Sequence, residues 1–465
     1  MNRRSFLLGA AAPVLSRAQT GRTPERPPNI LLILFDKCRT DAIGAYGRKD
    51  VHTPNLDWLA AGGVRFNNCY TPQALCGPAR ASILTGLYPH SHGLRKNVYP
   101  AVLGRSNTVY QEPISNPFHD PRFRLWDNFA FLLHNAGYET GHIGKWHLGP
   151  GNPGFFDTWK SFNSQLAHWV GKPHESPYRP DVHTAQAVEF IGQNARQPFF
   201  LYQSYYSPHE PLDPPKEFLA RYPNVENAGY YASVANLDWN VGRMLDALRK
   251  HQILDRTLVI VTADHSRTWK DRPGSAEGMC VPYDDSSAIP LILRHPGLLP
   301  EGRVWQSGVS LVDLAPTILD AAGVARYSLE MARLIGSHRP PEQGHSLLAE
   351  VRSGRDAWSR PVVLQNISQA AYLGSNFEDR AIRKGRWKLA LRKFDVFPSR
   401  RFNELFDMET DPEEGANLYH RPESRAVTTE LAGVLRKWGE QFGDPLSVEL
   451  AQRAVAELSQ TPARE

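Results

Sequence analysis

The run Asn29-Ile-Leu-Leu-Ile-Leu-Phe35, closed by Asp36, constrains this chain more than any other stretch. A nearly continuous apolar strand has no solvated face, so it needs cover on both sides, as in the centre of a parallel sheet. Buried strands are expected again at Pro198 to Tyr205 and Thr257 to Thr262, and further strands at Tyr138 to Ile143 and Pro290 to Arg294. Helical patterns separate them: Pro54 to Ala61, closed by Gly62-Gly63, then Trp126 to Ala136, Ala185 to Asn194, Tyr230 to His251 and Leu311 to Ala322. Strands alternating with helices predict a doubly wound α/β sheet. Chemistry in such a sheet collects beyond the carboxyl ends of the strands. Asp36, Lys145, His209 and Asp264 each follow a predicted strand.

The 465 residues suffice for one large domain and a smaller one. The formal charge is +5, and Arg3, Arg4 and Arg17 lie in a segment read below as removed, so the remainder gives no case for nucleic-acid binding. Four cysteines do not make a disulfide scaffold; Cys38, Cys69 and Cys280 read as buried thiols, with one bridge among them the alternative. Residues 1–18 read as an export signal. Arg3-Arg4-Ser5-Phe6-Leu7-Leu8 resembles a twin-arginine pattern, and Ser16-Arg17-Ala18 offers a cleavage site. Residues 19–28 form a linker, 29–355 the catalytic domain and 356–465 a C-terminal α+β subdomain. Gly151 to Tyr178 reads as loop, Arg380 to Leu391 as a hairpin turning at Lys384-Gly385, and Arg425 to Phe442 as a terminal helix. No segment is apolar and long enough to be transmembrane.

Leu75-Cys76-Gly77-Pro78-Ala79-Arg80-Ala81-Ser82-Ile83-Leu84-Thr85-Gly86 is the most specific stretch. Pro78 suits a first helical turn, Gly86 suits the end, and Cys76 then sits at the amide-rich helix start, with Arg80 one turn on. The stretch resembles the Cys-x-Pro-x-Arg…Leu-Thr-Gly signature of type I sulfatases. The resemblance implies an alkaline-phosphatase-like fold, a doubly wound mixed sheet flanked by helices. It also implies that Cys76 is oxidised to formylglycine by a maturase, and that its hydrate supplies the nucleophilic oxygen. Gly144-Lys145-Trp146-His147-Leu148-Gly149 and Ser207-Pro208-His209-Glu210-Pro211 are similar to family blocks in which the lysine and histidines bind sulfate or protonate the leaving alcohol. The implied catalytic set is Cys76, Arg80, Lys145, His147 and His209.

Asp36, Asp264 and His265 supply oxygen and nitrogen ligands for a divalent cation. The resemblance places that cation beside residue 76, giving Asp36, Cys76, Asp264 and His265 as metal residues and Ca²⁺ as the expected ion, with Mg²⁺ or Mn²⁺ as alternatives. Lys37 departs from the family, since a protonated lysine cannot coordinate a cation. Either it turns away or its ammonium binds the sulfate. Met279 also departs, standing where relatives carry a sulfate-contacting lysine; Lys270, Arg272 or Lys37 are the replacements to consider. His90 and His92, in Tyr88-Pro89-His90-Ser91-His92-Gly93, belong to a further family-like block, Asn97 is a candidate to line the pocket, and resemblance extends in separated blocks from Asn29 to Asn417. The expected activity is hydrolysis of a sulfate monoester, on a sulfated carbohydrate, by a periplasmic or secreted enzyme carried by twin-arginine export machinery. A phosphonate or phosphate ester hydrolase of the same superfamily and a noncatalytic relative are the alternatives. Trp159, Phe162 and Trp169 either stack on a sugar or pack.

Overall fold

The strand Asn29–Phe35 (β1) is buried along its whole length and sits inside the main sheet, with parallel neighbours on both sides. The computed structural model describes residues 26–99, 111–113, 116–120, 122–270, 272, 278–326, 340–358, 360–368, 377–394 and 403–460. The expected export signal and most of the linker lie outside the described residues. The other strands of this sheet are Val64–Tyr70 (β2), Glu139–Lys145 (β3), Thr158–Phe162 (β4), Phe199–Ser204 (β5), Thr257–Ala263 (β6), Ala288–Arg294 (β7), Arg303–Trp305 (β8) and Val309–Ser310 (β9). Their order is β8-β2-β7-β6-β1-β5-β3-β4, with β9 beside β2. β7 runs antiparallel to both β2 and β6, while β6, β1, β5 and β3 are mutually parallel. The sheet is therefore mixed, and four adjacent strands deliver their carboxyl ends to one edge.

Two groups of helices flank it. Pro54–Ala61 (α1), Arg179–Asn194 (α4) and Ala228–Lys250 (α5) pack together; so do Cys76–Thr85 (α2), Phe129–Asn135 (α3) and Leu314–Ala322 (α6). One apolar cluster joins both groups to β1 and its neighbours. Gly144, at φ 101°, shows how closely the strands run: a Cβ there would lie 1.8 Å from the carbonyl oxygen of Ser204.

Residues 151–178, expected as loop, contain β4, which pairs with β3 from Gly141↔Thr158 to Lys145↔Phe162. Five half-exposed residues at a sheet edge carry too little alternation to announce a strand. The aromatics of this stretch pack rather than stand free. Trp159 lies against Trp146 and His142, Phe162 stacks on His183, and the buried Trp169 donates its indole N–H to the Asp213 carbonyl at 3.1 Å.

A second, antiparallel sheet follows: Val362–Ser368 (β10), Phe377–Lys384 (β11), Trp387–Phe394 (β12) and Glu404–Asp407 (β13), in that order. The β11–β12 hairpin turns at Gly385-Arg386, within a residue of expectation. Helix Arg425–Phe442 (α7) is present as expected but is not terminal. Gly443 turns the chain at φ 72° into Pro445–Gln460 (α8), which packs back on α7. The first strand of this sheet reaches the catalytic side: Gln365 N–H donates to the Pro72 carbonyl at 2.7 Å, and Ala74 N–H donates to Asn366 Oδ1 at 3.1 Å. Cys38, Cys69, Cys76 and Cys280 are all free and buried. Among the described residues no helix is long and apolar enough to cross a membrane.

Candidate active site

Helix α2 starts at Cys76, after an extended Leu75, and ends on Gly86 at φ 70°. All ten of its residues are buried, so its apolar pattern is continuous rather than one-sided. Gly77 N–H donates to Asn97 Oδ1 at 2.8 Å, and a Cβ on Gly77 would come to 3.0 Å from that oxygen. Asn97 thus satisfies one of the amides left open at a helix start. His92 and His90 do not join the reactive cluster. His92 Nε2 pairs with Ser82 Oγ at 3.1 Å, and His90 bridges Gln365 and the Phe442 carbonyl, tying α2's surroundings to the second sheet.

The strand ends converge on Cys76. Its Sγ lies 3.2 Å from His265 Nε2, 3.5 Å from Lys145 Nζ and 3.8 Å from Asp36 Oδ1. Lys145 Nζ also donates to Asp36 Oδ2 at 2.6 Å. Arg80 is the hub beneath them, donating to Asp36 Oδ2 at 3.0 Å, Asp264 Oδ2 at 2.9 Å, the Lys145 carbonyl at 2.6 Å and Ser204 Oγ at 2.7 Å. Ligand atoms of Asp36, Cys76, Asp264 and His265 all lie within 4.8 Å of one another, and all four residues are buried. His265 Nδ1 faces the Ser266 carbonyl at 2.7 Å, which leaves Nε2 for the centre. This donor set, two carboxylates and an oriented imidazole around residue 76, fits a divalent cation.

The electrostatics follow from burial. Burial pushes the Cys76 thiol up, Asp36 adds to it, and Lys145 recovers only part, so the thiol stands at about 12. The encoded thiol is therefore neutral and a poor nucleophile near pH 7. Burial works against ionisation of Asp36 too, but the surrounding cations, Lys145 foremost, hold it well below the usual carboxylate range. Burial works against the charge on Lys145 as well, but Asp36, with Cys76 and Asp264 behind it, holds the ammonium above its ordinary value. The imidazoles depart from histidine's ordinary near-neutral titration. Burial, with Lys145 beside it, holds His147 well below its ordinary value, and burial with Lys37 and Lys145 brings His209 to about 3. Both are neutral in the free site, and a bound anion would raise them again. Both ring nitrogens of His147 are buried without a hydrogen-bond partner, the signature of a polar ligand's place.

Around this centre lies a further layer, in which Tyr230, Tyr206 and Arg267 are residues that the sequence reading did not single out. Lys37 is buried at φ 60°; its N–H donates to Asp264 Oδ1 at 3.3 Å, and its carbonyl accepts from the Tyr230 hydroxyl at 2.8 Å. The same hydroxyl accepts from Arg39 N–H at 2.8 Å, so one phenol clamps the turn after β1. Lys37 Nζ pairs with Glu210 Oε2 at 3.2 Å, and Arg267 pairs with the other Glu210 oxygen. Tyr206 stacks on His209 and lies under Lys145, whose Nζ is 4.8 Å from the ring centre. Met279 packs with Leu75 and Cys280 in a small apolar cluster next to residue 76. Lys270 and Arg272 are engaged elsewhere, on Glu413 and on Asp285 with the Glu414 carbonyl.

The Sulfatase family profile matches residues 28–324, well over half of the chain and spanning every residue of this centre. The chain belongs to the sulfatase family. A second profile, "N-sulphoglucosamine sulphohydrolase, C-terminal", matches residues 280–441. The arylsulfatase of Clostridium perfringens is 25% identical over 88% of this chain and 94% of its own length. The N-acetylgalactosamine-6-sulfatase of the dog is 31% identical over 67% of this chain and 66% of its own. Among solved structures, Ps i-CgsB in complex with k-i-k-neocarrahexaose superposes with a TM-score of 0.72 at 23% identity, over 94% of this chain and all of that one. The expected alkaline-phosphatase-like fold and the expected reaction class, a sulfuric ester hydrolase, both stand.

Proposed function

We propose that this sulfatase cleaves a sulfate monoester of a carbohydrate at Cys76, converted to formylglycine, with Asp36, Asp264 and His265 holding a divalent cation beside it. The observation that carries the reading is the convergence of Lys145, His265 and Asp36 on a thiol that the same surroundings keep neutral. A buried, protonated cysteine at this focus is chemically idle, whereas an aldehyde hydrate there presents hydroxyl oxygens to those groups. The bound cation would polarise sulfate oxygens and favour the ionised form of a nearby hydroxyl. Without it the centre balances two carboxylates, Asp36 and Asp264, with two cations, Arg80 and Lys145. The carbohydrate assignment is supported by the names of the relatives, and Ca²⁺ by the oxygen-rich donor set.

Residue roles follow from position. Arg80, with four short donors spent on protein groups, fixes the two aspartates and the carboxyl end of β3. Lys145 lies where it offsets charge on the sulfate and on residue 76. His147, with two unpartnered nitrogens, binds sulfate oxygens. His209, at the outer edge with its side chain 12% exposed, is placed to give a proton to the departing alcohol once the bound anion has raised it. The overall change is cleavage of the ester S–O bond, with water supplying the oxygen to sulfate and the proton to the alcohol. Export by the twin-arginine route belongs to the same reading, since a folded, converted enzyme is what that route carries.

The test is the full chain co-expressed with a formylglycine-generating maturase and assayed on sulfated monosaccharides, an aryl sulfate, an aryl phosphate diester and a phosphonate ester. Release of sulfate from a sugar, lost after chelation and restored by Ca²⁺, is expected. Turnover confined to the phosphorus esters, or an unmodified Cys76 peptide in the mass spectrum, would overturn it.

A further inference from the structure

Two buried cations border the active centre and share one carboxylate. The Lys37 side chain is 1% exposed and that of Arg267 10%, whereas Glu210, which both contact, is 39% exposed. A structural ion pair balances one charge with one; here, among the described residues, two cations meet a single carboxylate at the surface. The Arg267 guanidinium carbon lies 3.6 Å from the centre of the Trp269 ring, and its Nε is buried without a partner, a donor that Glu210 leaves unused. A flat guanidinium with a free edge is suited to carboxylate and sulfate. Lys37 is equally fixed, its backbone clamped by Asp264 and Tyr230 in a left-handed conformation that a lysine adopts only when its surroundings impose it. Glu210 Oε2 is 3.3 Å from His209 Nδ1, which sets the cation pair against the residue placed at the departing alcohol.

We infer that Lys37 and Arg267 form a subsite for a second acidic group on the substrate, a carboxylate or a further sulfate near the scissile one, which Glu210 fills in the free protein. The inference rests on the sulfatase reading above and narrows its substrate to polyanionic sugars. Glu210 swings out as the substrate's own anion takes both cations.

The experiment uses the full chain as Cys76→Ala, which binds without turnover, titrated by calorimetry with three sugars: a neutral hexose carrying one sulfate, a disulfated hexosamine, and a sulfated hexose joined to a uronate. The diacids are expected to bind at least about tenfold more tightly than the monosulfate, the worth of one charge-assisted hydrogen bond, and the two diacid arms tell sulfate from carboxylate. Arg267→Gln in the same background should bring that preference to within about threefold. Glu210→Gln, which deletes the competing carboxylate, should raise diacid affinity and serves if Arg267→Gln does not fold. Equal binding of all three sugars, a preference that survives Arg267→Gln, or a Glu210→Gln protein with unchanged diacid affinity would each overturn the subsite. Failure of the matured wild type to hydrolyse any sulfate ester would instead overturn the reading it rests on.

Discussion

Replacing Arg80 by methionine keeps an unbranched stem and removes the guanidinium and its charge from the middle of four buried contacts at 2.6–3.0 Å. Asp36 and Asp264 are then left with Lys145 alone, two carboxylates against one cation. Removing one partner of a buried ion pair costs roughly 3–5 kcal/mol. Asp36→Asn makes the opposite error, leaving Lys145 and Arg80 with Asp264 only, at a similar cost. The double variant returns to one carboxylate and one cation, so its loss should fall short of the sum by about 2 kcal/mol. Urea unfolding followed by tryptophan fluorescence, in EDTA, measures all four proteins. Adding Ca²⁺ then separates charge balance from metal binding. Arg80→Met retains both carboxylate ligands with less cation nearby, so Ca²⁺ at about a hundred times its dissociation constant should return roughly 2.7 kcal/mol. Asp36→Asn has lost a ligand and should gain far less. Strictly additive losses in EDTA, or equal rescue of the two single variants, would refute the electrostatic reasoning.

Other consequences can be checked separately. Tyr230→Phe removes the hydroxyl that holds both the Lys37 carbonyl and Arg39 N–H, so it should cost about 1–3 kcal/mol and lower kcat, seen by denaturation and by turnover of an aryl sulfate. Gly144→Ala would drive a methyl into the Ser204 carbonyl at a left-handed φ, and should abolish soluble expression or lower Tm by many degrees. Burial raises the Asp379 carboxyl to about 7, and its Oδ2 has no hydrogen-bond partner. The folded value lies above the unfolded one, so this group's favourable contribution is complete below about pH 4 and is lost as pH rises through 7. Asp379→Asn should flatten the stability profile between those limits; a wild type whose stability is level there would contradict this.

Much of the centre could be read from the chain because its chemistry sits at strand ends. Asp36, Lys145, His209 and Asp264 each follow a predicted strand, and the parallel order β6-β1-β5-β3 makes those ends neighbours. The helix at Cys76 was legible from Pro78 and Gly86. What the chain does not announce are contacts made by one atom across long separations. Tyr230 is one aromatic among several on its helix, and only the fold brings its hydroxyl to Lys37. Glu210 and Arg267 look like ordinary surface charges until β5 and β6 end one strand apart, on either side of β1. The half-exposed strand β4 escaped because short edge pairing carries weak alternation, whereas helix α8 was passed over although its buried residues repeat at helical spacing. The lowered titration of His147 and His209 was not legible for another reason, since burial is not visible in sequence.

The hydrogen bond from Ala74 to Asn366 also sets a clock. Those residues are 292 positions apart, so the strand that holds the stretch just before residue 76 is made long after it. At roughly 5–20 residues per second, residue 76 emerges some 15–60 s before that strand is synthesised. In the finished fold residue 76 is 3% exposed, in a helix whose ten residues are all buried. On the proposed reading, a maturase working on the nascent chain has that interval to reach Cys76 before β10 holds the stretch in front of it.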